Sequence, residues 1–200
     1  KRAKKIICIS NNTKNDLMKI LNVNEDKISV IYHSNSLHYK KNINVEKQLS
    51  LPNKYLLYVG RRNYNYKNFI FMLISLEKIL KEDYELNLIC AGGGKFSQKE
   101  IELFKQLGII NKLRYYNVND EQLGALYSNA LGFIYPSLYE GFGIPILEAF
   151  SCGCPVICSN RSSFPEIAEN AAEYFEPLDE LSIENAIKNV IYNFKRREEL

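Results

Sequence analysis

Short apolar runs alternate with longer helical patterns along most of this chain, and this alternation is what most restricts its fold. We expect strands at the apolar runs Ile6–Ile9, Ile28–Tyr32, Tyr55–Val59, Leu86–Ala91, Leu113–Tyr116, Gly132–Tyr135 and Val156–Ser159. We expect helices between them at Thr13–Leu21, Asn68–Leu80, Gln98–Leu107, Asp120–Ser128, Pro145–Phe150 and Ser182–Arg197. Strands that alternate with helices pair in parallel and carry helices on both faces. The sequence therefore predicts an α/β fold with a doubly wound parallel sheet.

The length and charge of the chain limit its organisation and its partners. Its 200 residues suffice for one domain, or for one domain with part of another. The polar stretch 37–53 predicts a linker, which divides a remnant of an N-terminal domain with its linker (1–53) from a main domain (54–200). Because the first residue is Lys1, we expect the chain to belong to a longer protein. A net charge of +3 does not indicate nucleic acid binding, and no apolar run is long enough to span a membrane.

The cysteines do not predict a metal site. Five are present, at Cys8, Cys90, Cys152, Cys154 and Cys158. Their spacing matches no zinc pattern, and the two histidines, His33 and His38, lie far from the cysteine cluster in the sequence. We expect buried, reduced thiols, which are typical of a cytoplasmic protein.

Four loops of the predicted sheet carry residues that bind ligands. In a doubly wound sheet, ligands bind beyond the carboxyl ends of the strands. The loops at these ends have the sequences GRRNYNYKN, AGGGK, NVNDEQ and PSLYEGFGIP. Each loop alone is typical of a turn or of a charged surface, but together they predict one ligand site.

The fourth loop has the features of an anion site. Gly141 and Gly143 allow close backbone approach, and Pro145 suits the first turn of a helix. The backbone N–H groups of Phe142–Ile144 would then face an anion at the helix N-terminus.

Two carboxylates, Glu140 and Glu148, flank this anion site. A carboxylate accepts hydrogen bonds from adjacent hydroxyls, so the arrangement fits a nucleotide diphosphate sugar, with its ribose diol, diphosphate and sugar. Either Arg61 or Arg62, together with Lys67, could offset the diphosphate charge from the neighbouring loop.

The segment PSLYEGFGIPILEAFSCGCPVICSN resembles the E-x7-E motif of retaining glycosyltransferases of the two-domain GT-B fold, called family 4 or group 1. Weaker similarities to this family lie in YVGRR…YKN, LICAGGG, YYNVNDEQLGALYSNA and SSFPEIAENAAEYFEP. The N-terminal stretch KKIICISNNTKNDLMKILNVNEDKISVIYH resembles the end of that family's first domain. The resemblance covers nearly all of the chain. It implies that residues 54–200 form the Rossmann-like donor-binding domain, the C-terminal half of a GT-B enzyme.

The resemblance also implies residue roles. Glu140 would orient the transferred sugar, and Glu148 would bind the ribose hydroxyls. Arg62 or Arg61, together with Lys67, would hold the diphosphate and stabilise the departing nucleotide. Further substrate contacts are expected from Gly93, Val118, Asn119, Gly141, Phe142, Gly143 and Ile144.

The implied activity is transfer of a sugar from a UDP- or GDP-sugar to a glycan or lipid-linked acceptor, in surface polysaccharide biosynthesis. The chain lacks Asp-x-Asp, so we expect no metal and no other cofactor. The expected location is the cytoplasm, including the inner face of the membrane for the full-length protein. Since the acceptor surface of the family lies on the other domain, we expect this 200-residue chain to fold without transferring sugar.

Two other functions remain open from the sequence. One is a nucleotide- or anion-binding module without catalysis, and the other is a domain similar to sugar-nucleotide epimerases. An epimerase would need additional acids and histidines in the cleft. The base, the sugar, the acceptor and the linkage are not indicated by the residues.

Overall fold

The structure, a computed structural model, describes residues 3–35 and 48–200. Most of the predicted linker, at residues 36–47, and with it His38, lies outside the described residues. The strands are β1 Ile6–Cys8, β2 Ile28–Val30, β3 Lys54–Val59, β4 Leu86–Ala91, β5 Leu113–Tyr116, β6 Gly132–Tyr135, β7 Val156–Ser159 and β8 Ala172–Phe175. The α-helices are α1 Asn11–Leu21, α2 Phe69–Glu82, α3 Gln98–Gln106, α4 Asp120–Asn129, α5 Ile144–Ser151, α6 Phe164–Ala168, α7 Glu180–Tyr192 and α8 Phe194–Glu199. Short 3-10 helices lie at Glu25–Lys27, Asn65–Lys67 and Ile110–Lys112.

Six strands form one parallel sheet in the order β5-β4-β3-β6-β7-β8. The chain runs outward from β3 to β5 and then returns to the other side of β3 to begin β6. This reversal is the topological switch point of a doubly wound sheet, and such sheets bind ligands there. The predicted fold class is confirmed.

The sheet is buried on both faces, which explains the nearly continuous apolar runs of its central strands. Successive side chains of a strand point to opposite faces. Accordingly, Leu56 and Tyr58 of β3 belong to one buried cluster with residues of α2 and α7. Tyr55 and Leu57 belong to the cluster on the other face, with residues of α4 and α5.

Residues 3–35 form a smaller βαβ unit, which we call the N-terminal unit. Its two strands pair in parallel, with Ile6 opposite Ile28. Ser10 caps α1 by accepting a hydrogen bond from the backbone N–H of Thr13 at 3.0 Å. No residue of α1 is buried, and Ile20 is 73% exposed. The N-terminal unit therefore lacks a core comparable with that of residues 48–200.

The sequence patterns missed one short strand and one short α-helix and merged two helices. Strand β8 has only four residues, and helix α6 only five, too short for a clear period. The predicted helix Ser182–Arg197 is interrupted at Asn193, whose side chain accepts from the backbone N–H of Arg196 and so begins α8. Across residues 3–35 and 48–200, no helix has the length and apolar character that a membrane crossing requires.

Candidate active site

The loops that follow β3 and β6 meet at the switch point of the sheet. The backbone N–H of Leu138 donates to the carbonyl oxygen of Tyr66 at 2.7 Å. Beside this contact, Lys67 Nζ lies 2.6 Å from Glu140 Oε1, and the two side chains are 15% and 17% exposed. The structure thus brings a predicted cation and a predicted carboxylate together in one ion pair.

Arg62 is buried and fully engaged with the protein. Its Nε donates to Glu100 Oε1 at 2.7 Å, and its Nη atoms donate to the carbonyl oxygens of Gly92 at 3.1 Å and Gly94 at 2.7 Å. Its guanidinium lies 4.9 Å from the centroid of the Phe96 ring. Arg62 therefore connects the loop after β3 to the glycine turn after β4.

Glu100 completes this buried network. Burial alone would raise the pKa of its carboxyl, but hydrogen bonds from Ser97 and from Arg62 outweigh burial and hold the pKa below its usual range. Glu100 therefore stays charged opposite Arg62, and the pair stabilises the loops rather than leaving a cation free for a ligand.

Arg61, by contrast, is exposed. Its Nη1 donates to the Tyr64 hydroxyl at 2.9 Å, and the Tyr64 ring stacks on Tyr66 with centroids 5.5 Å apart. The ammonium of Lys67 lies 5.4 Å from the centroid of the Tyr66 ring. The stacked rings of Tyr64 and Tyr66 thus lie between Arg61 and Lys67.

Gly93 lies where the backbones of two loops approach each other. Its φ is +70°, and a Cβ atom at this position would lie 2.7 Å from the carbonyl oxygen of Gly60 and 2.9 Å from Cα of Arg61. Only glycine fits such an approach. Gly93 therefore sets the distance between the glycine turn and the arginine loop, and its contact with substrate remains a prediction.

The N-terminus of α5 opens into the same region. Gly143, the N-cap residue, has φ of +113°, and Pro145 occupies the first turn. Within the described part of the chain, no side chain caps this helix, whose first residue, Ile144, is exposed. Among the described residues the first turn of α5 thus has no side-chain cap, and the contact of its backbone N–H groups with an anion stays a prediction.

Glu148 lies on α5 and is half-buried. Its Oε2 accepts a hydrogen bond from the Tyr127 hydroxyl at 3.1 Å. Burial, and to a smaller extent the nearby Asp120, raises the pKa of Glu148, whereas the bond from Tyr127 lowers it. The two carboxylates of the predicted pair therefore occupy different environments, because Glu140 is paired with a cation and Glu148 with a buried hydroxyl.

Two serines of the loop after β7 support the Glu140 loop. Ser162 Oγ donates to the carbonyl oxygen of Glu140 at 2.6 Å, and Ser163 Oγ donates to that of Phe142 at 2.6 Å. These bonds fix the backbone on both sides of Gly141.

The N-terminal unit holds the same loop from the opposite side. The hydroxyls of Ser10 and Thr13 donate to the carbonyl oxygen of Gly141 at 2.7 and 3.1 Å. The rings of Tyr32 and His33 lie against Phe142, with centroids 6.0 and 5.4 Å away. No spacing in the sequence indicates that His33 makes this contact.

Glu166 connects α6 to the N-terminal unit. Its carboxylate accepts from the backbone N–H groups of Asn11 at 2.7 Å and Asn12 at 3.1 Å, and from the Tyr32 hydroxyl at 2.8 Å. Burial alone would raise the pKa of Glu166, but these bonds and one from the Asn11 side chain hold it below its usual range. A charged carboxylate at the N-terminus of α1 is also favoured by the helix dipole.

Val118 and Asn119 lie in the loop after β5, at the start of α4. Asn119 caps this helix by accepting from the backbone N–H of Gln122 at 2.9 Å. Because α4 also carries Tyr127, this loop and Glu148 are joined through one helix. The contact of Val118 and Asn119 with a base remains a prediction.

The cysteines are free thiols, four of them buried and Cys152 half-buried. Burial raises the pKa of Cys90 to about 12. In the ranges 3–35 and 48–200, no three His, Cys, Asp or Glu side chains are grouped so that they could hold a metal ion.

The family model of "Glycosyl transferases group 1" matches residues 39–200. The chain belongs to the group 1 glycosyltransferases. Among its relatives, the O-antigen chain mannosyltransferase RfbU of Salmonella typhimurium is 35% identical over 191 residues, which are 95% of this chain and 52% of the relative. The O-antigen chain mannosyltransferase B of Escherichia coli is 32% identical over 187 residues, or 88% of this chain and 49% of the relative. The chain thus spans about half the length of these curated relatives.

Solved structures with the same fold include enzymes of this kind. A glycosyltransferase from Rickettsia africae superposes with a TM-score of 0.83 at 22% identity, over 99% of this chain and 56% of that one. HepE from Anabaena, solved in complex with UDP and glucose, superposes with a TM-score of 0.81 at 20% identity, over 98% of this chain and 55% of HepE. These similarities confirm the Rossmann-like fold.

Proposed function

We propose that the protein containing this chain is a retaining glycosyltransferase that transfers a mannosyl residue from a nucleotide diphosphate sugar, with residues 54–200 as its donor-binding domain. The observation that carries the proposal is the Lys67–Glu140 ion pair, which lies at the switch point of the sheet near the N-terminus of α5. Mannose is proposed because both curated relatives described above are O-antigen mannosyltransferases. The base stays open between uracil and guanine.

The diphosphate would bind between Lys67, Arg61 and the first turn of α5. Lys67 is already within reach of the sugar-orienting carboxylate, so it can contact the leaving phosphate when Glu140 turns toward sugar hydroxyls. Of the two arginines, we assign this role to Arg61, because the guanidinium of Arg62 is buried among carbonyl oxygens and Glu100.

The proposed chemistry breaks the bond between the sugar anomeric carbon and the diphosphate oxygen. The acceptor hydroxyl forms the new bond on the same face of the sugar, and its proton passes to the leaving phosphate oxygen. Preorganised cations and N–H groups would stabilise the charge that develops on the diphosphate. This route requires neither a covalent enzyme nucleophile nor a divalent metal ion.

The roles of the remaining residues follow from the proposed division of the whole protein into an N-terminal domain and a donor-binding domain. Glu148 would receive the ribose hydroxyls, and Val118 and Asn119 would face the base. Residues 1–53 would belong to the end of an N-terminal domain and its linker. The acceptor would be a glycan or a lipid-linked glycan bound by that domain at the inner face of the membrane, during surface polysaccharide synthesis.

Calorimetry of the full-length protein with UDP, GDP, UDP-glucose and GDP-mannose tests donor binding. We expect micromolar or tighter binding of one nucleotide series, with the same affinity in EDTA and in manganese. Binding that is lost in EDTA and returns with manganese would contradict the metal-independent site.

A transfer assay with radiolabelled mannose on whichever nucleotide, UDP or GDP, binds in calorimetry, together with a membrane extract from the source cells, then separates an enzyme from a binding module. Label that enters lipid or glycan supports the proposed reaction, and a Glu140→Ala variant should abolish most of it. Nucleotide binding without any transfer by the full-length protein would favour the non-catalytic module instead.

A further inference from the structure

Tyr127 is a buried residue whose hydroxyl reaches the candidate site. It lies on α4, its exposed fraction is 0%, and its ring packs edge-on against Phe133 with centroids 5.3 Å apart. Its hydroxyl donates to Glu148 Oε2 at 3.1 Å, which joins α4 to α5 across one face of the sheet. A polar atom of the core is thus directed at one of the two carboxylates of the site.

The groups around Glu148 show why the hydrogen bond from Tyr127 matters. Among residues 3–35 and 48–200, the titratable groups that face its carboxylate are Tyr127 and Asp120 from α4 and Cys152, which follows α5. Burial raises the pKa of the Cys152 thiol, so this group is neutral, and Asp120 is itself an acid. Among these three groups, only Tyr127 favours the charged form of Glu148.

We propose that Tyr127 is a positioning residue of the nucleotide site, whose hydroxyl orients the Glu148 carboxylate to receive the ribose hydroxyls. The bond occupies Oε2, which leaves Oε1 with a fixed direction for the ligand. A carboxylate that is oriented before binding loses less freedom when the ligand arrives. The inference rests on the proposed role of Glu148.

Tyr127→Phe separates positioning from packing, because it keeps the ring against Phe133 and removes only the hydroxyl. The matched control is Tyr55→Phe. Tyr55 is also a buried tyrosine, and its hydroxyl donates to α4 at the carbonyl oxygen of Leu126, 2.7 Å away, rather than to the carboxylate.

The experiment is calorimetry of the 200-residue chain and of these two variants with UDP and GDP, from about pH 8 down to about pH 5, with Glu148→Gln as a fourth sample. We expect Tyr127→Phe to weaken binding of the preferred nucleotide about tenfold at neutral pH, and Tyr55→Phe to change it less than about twofold. Thermal unfolding of each variant verifies that it is folded.

The pH dependence is the result that a purely structural role would not produce. Nucleotide binding needs Glu148 in its ionised form. The affinity for the nucleotide is therefore highest above the Glu148 pKa and falls as the pH drops through that pKa. Without the bond from Tyr127 this pKa rises, and we expect the loss of affinity to begin at a higher pH in Tyr127→Phe than in the wild type.

The outcomes distinguish the inference from the function on which it rests. If Glu148→Gln weakens binding but Tyr127→Phe matches the wild type, or weakens binding without moving its pH dependence, the positioning role is wrong and the site stands. If Glu148→Gln binds the nucleotide as tightly as the wild type, Glu148 does not bind the ribose. The proposed role of Tyr127 is then wrong as well.

Discussion

The loops after β3 and β6 face each other across the candidate site, but different parts of the protein hold them. The loop after β3 is fixed from within residues 48–200, by Arg62 and Glu100 and by the close approach of Gly93. The loop after β6 is held by serines of the same unit and also by Ser10 and Thr13 of the N-terminal unit.

The site therefore has two sides. The cationic side, on the loop after β3, is held from within residues 48–200. The acidic side, on the loop after β6, also depends on the N-terminal unit. The cationic side should keep its shape whatever the N-terminal unit does. The acidic side should respond to that unit, because the carbonyl group of Gly141 lies between Glu140 and the first turn of α5. Such a dependence would link the position of the Glu140 carboxylate to that of the N-terminal unit.

The largest effect should come from removing the buried charge of the cationic side. We expect Arg62→Met to lower the free energy of unfolding by about 3–5 kcal/mol, because it leaves Glu100 without its partner. Urea denaturation measures this change. Arg114→Met, on an exposed residue of β5, is the control and should stay within about 0.5 kcal/mol. If Arg62→Met leaves the free energy of unfolding nearly unchanged, the Arg62–Glu100 pair does not hold the cationic side.

Gly93→Ala and Gly94→Ala form the next comparison, because both glycines have positive φ and only Gly93 is crowded. Either alanine should cost about 1–2 kcal/mol for a left-handed backbone. Gly93→Ala should cost further free energy of unfolding, since its Cβ would meet the backbone at Gly60 and Arg61. Equal losses in thermal denaturation would show that the two loops can separate without penalty.

The two carboxylates should differ in which ligand they affect. We expect Glu148→Ala to weaken nucleotide and nucleotide sugar alike, and Glu140→Ala to weaken mainly the nucleotide sugar and turnover. Loss of one charged hydrogen-bond partner is worth about 1.5–3 kcal/mol, so changes of tenfold or more should be visible by calorimetry. The division of roles fails if both variants lose both ligands equally.

The smallest effect should come from Glu166→Gln, which weakens the attachment of the N-terminal unit. Because the pKa of Glu166 is lowered in the folded protein, its contribution is present above the pKa of an unfolded glutamate, about 4.3, and is lost as the pH falls through the lower folded pKa. We expect a loss of about 1 kcal/mol at neutral pH and faster hydrogen exchange at the backbone of Asn11 and Asn12. Glu169→Gln, on an exposed residue that follows α6, is the control. Unchanged exchange in Glu166→Gln would show that other contacts hold the unit.

The sequence predicted the parts of this molecule that follow from periodicity and glycine chemistry. The apolar runs of β3 and β4 are six residues long and buried on both faces, so their pattern was clear. The turn EGFGIP predicted the start of α5 because Gly143 and Pro145 have specific backbone roles. The order of the predicted loops was enough to expect Lys67 and Glu140 at one edge of the sheet.

Other features depend on contacts between residues far apart in the chain. The residues next to Arg62 do not indicate that its side chain packs against the glycine turn while Arg61 is exposed. The sequence therefore left the two arginines equivalent. Tyr127 fits an ordinary core position by its spacing, and its bond to Glu148 follows only from the packing of α4 on α5. The attachment of α1 to Glu166 could not be inferred, since neither segment carries a pattern that refers to the other.

That attachment has a consequence for synthesis on the ribosome. The contact between Asn11 and Glu166 joins residues 155 positions apart. At roughly 5–20 residues per second, the N-terminal unit, which ends at residue 35, waits about 7–26 s after its own translation before its partner carboxylate exists. During this interval the backbone N–H groups of Asn11 and Asn12 and the Tyr32 hydroxyl do not yet have the Glu166 carboxylate as their acceptor. Limited proteolysis should therefore cut the N-terminal unit faster on nascent chains that end before Glu166 than on chains that include α6.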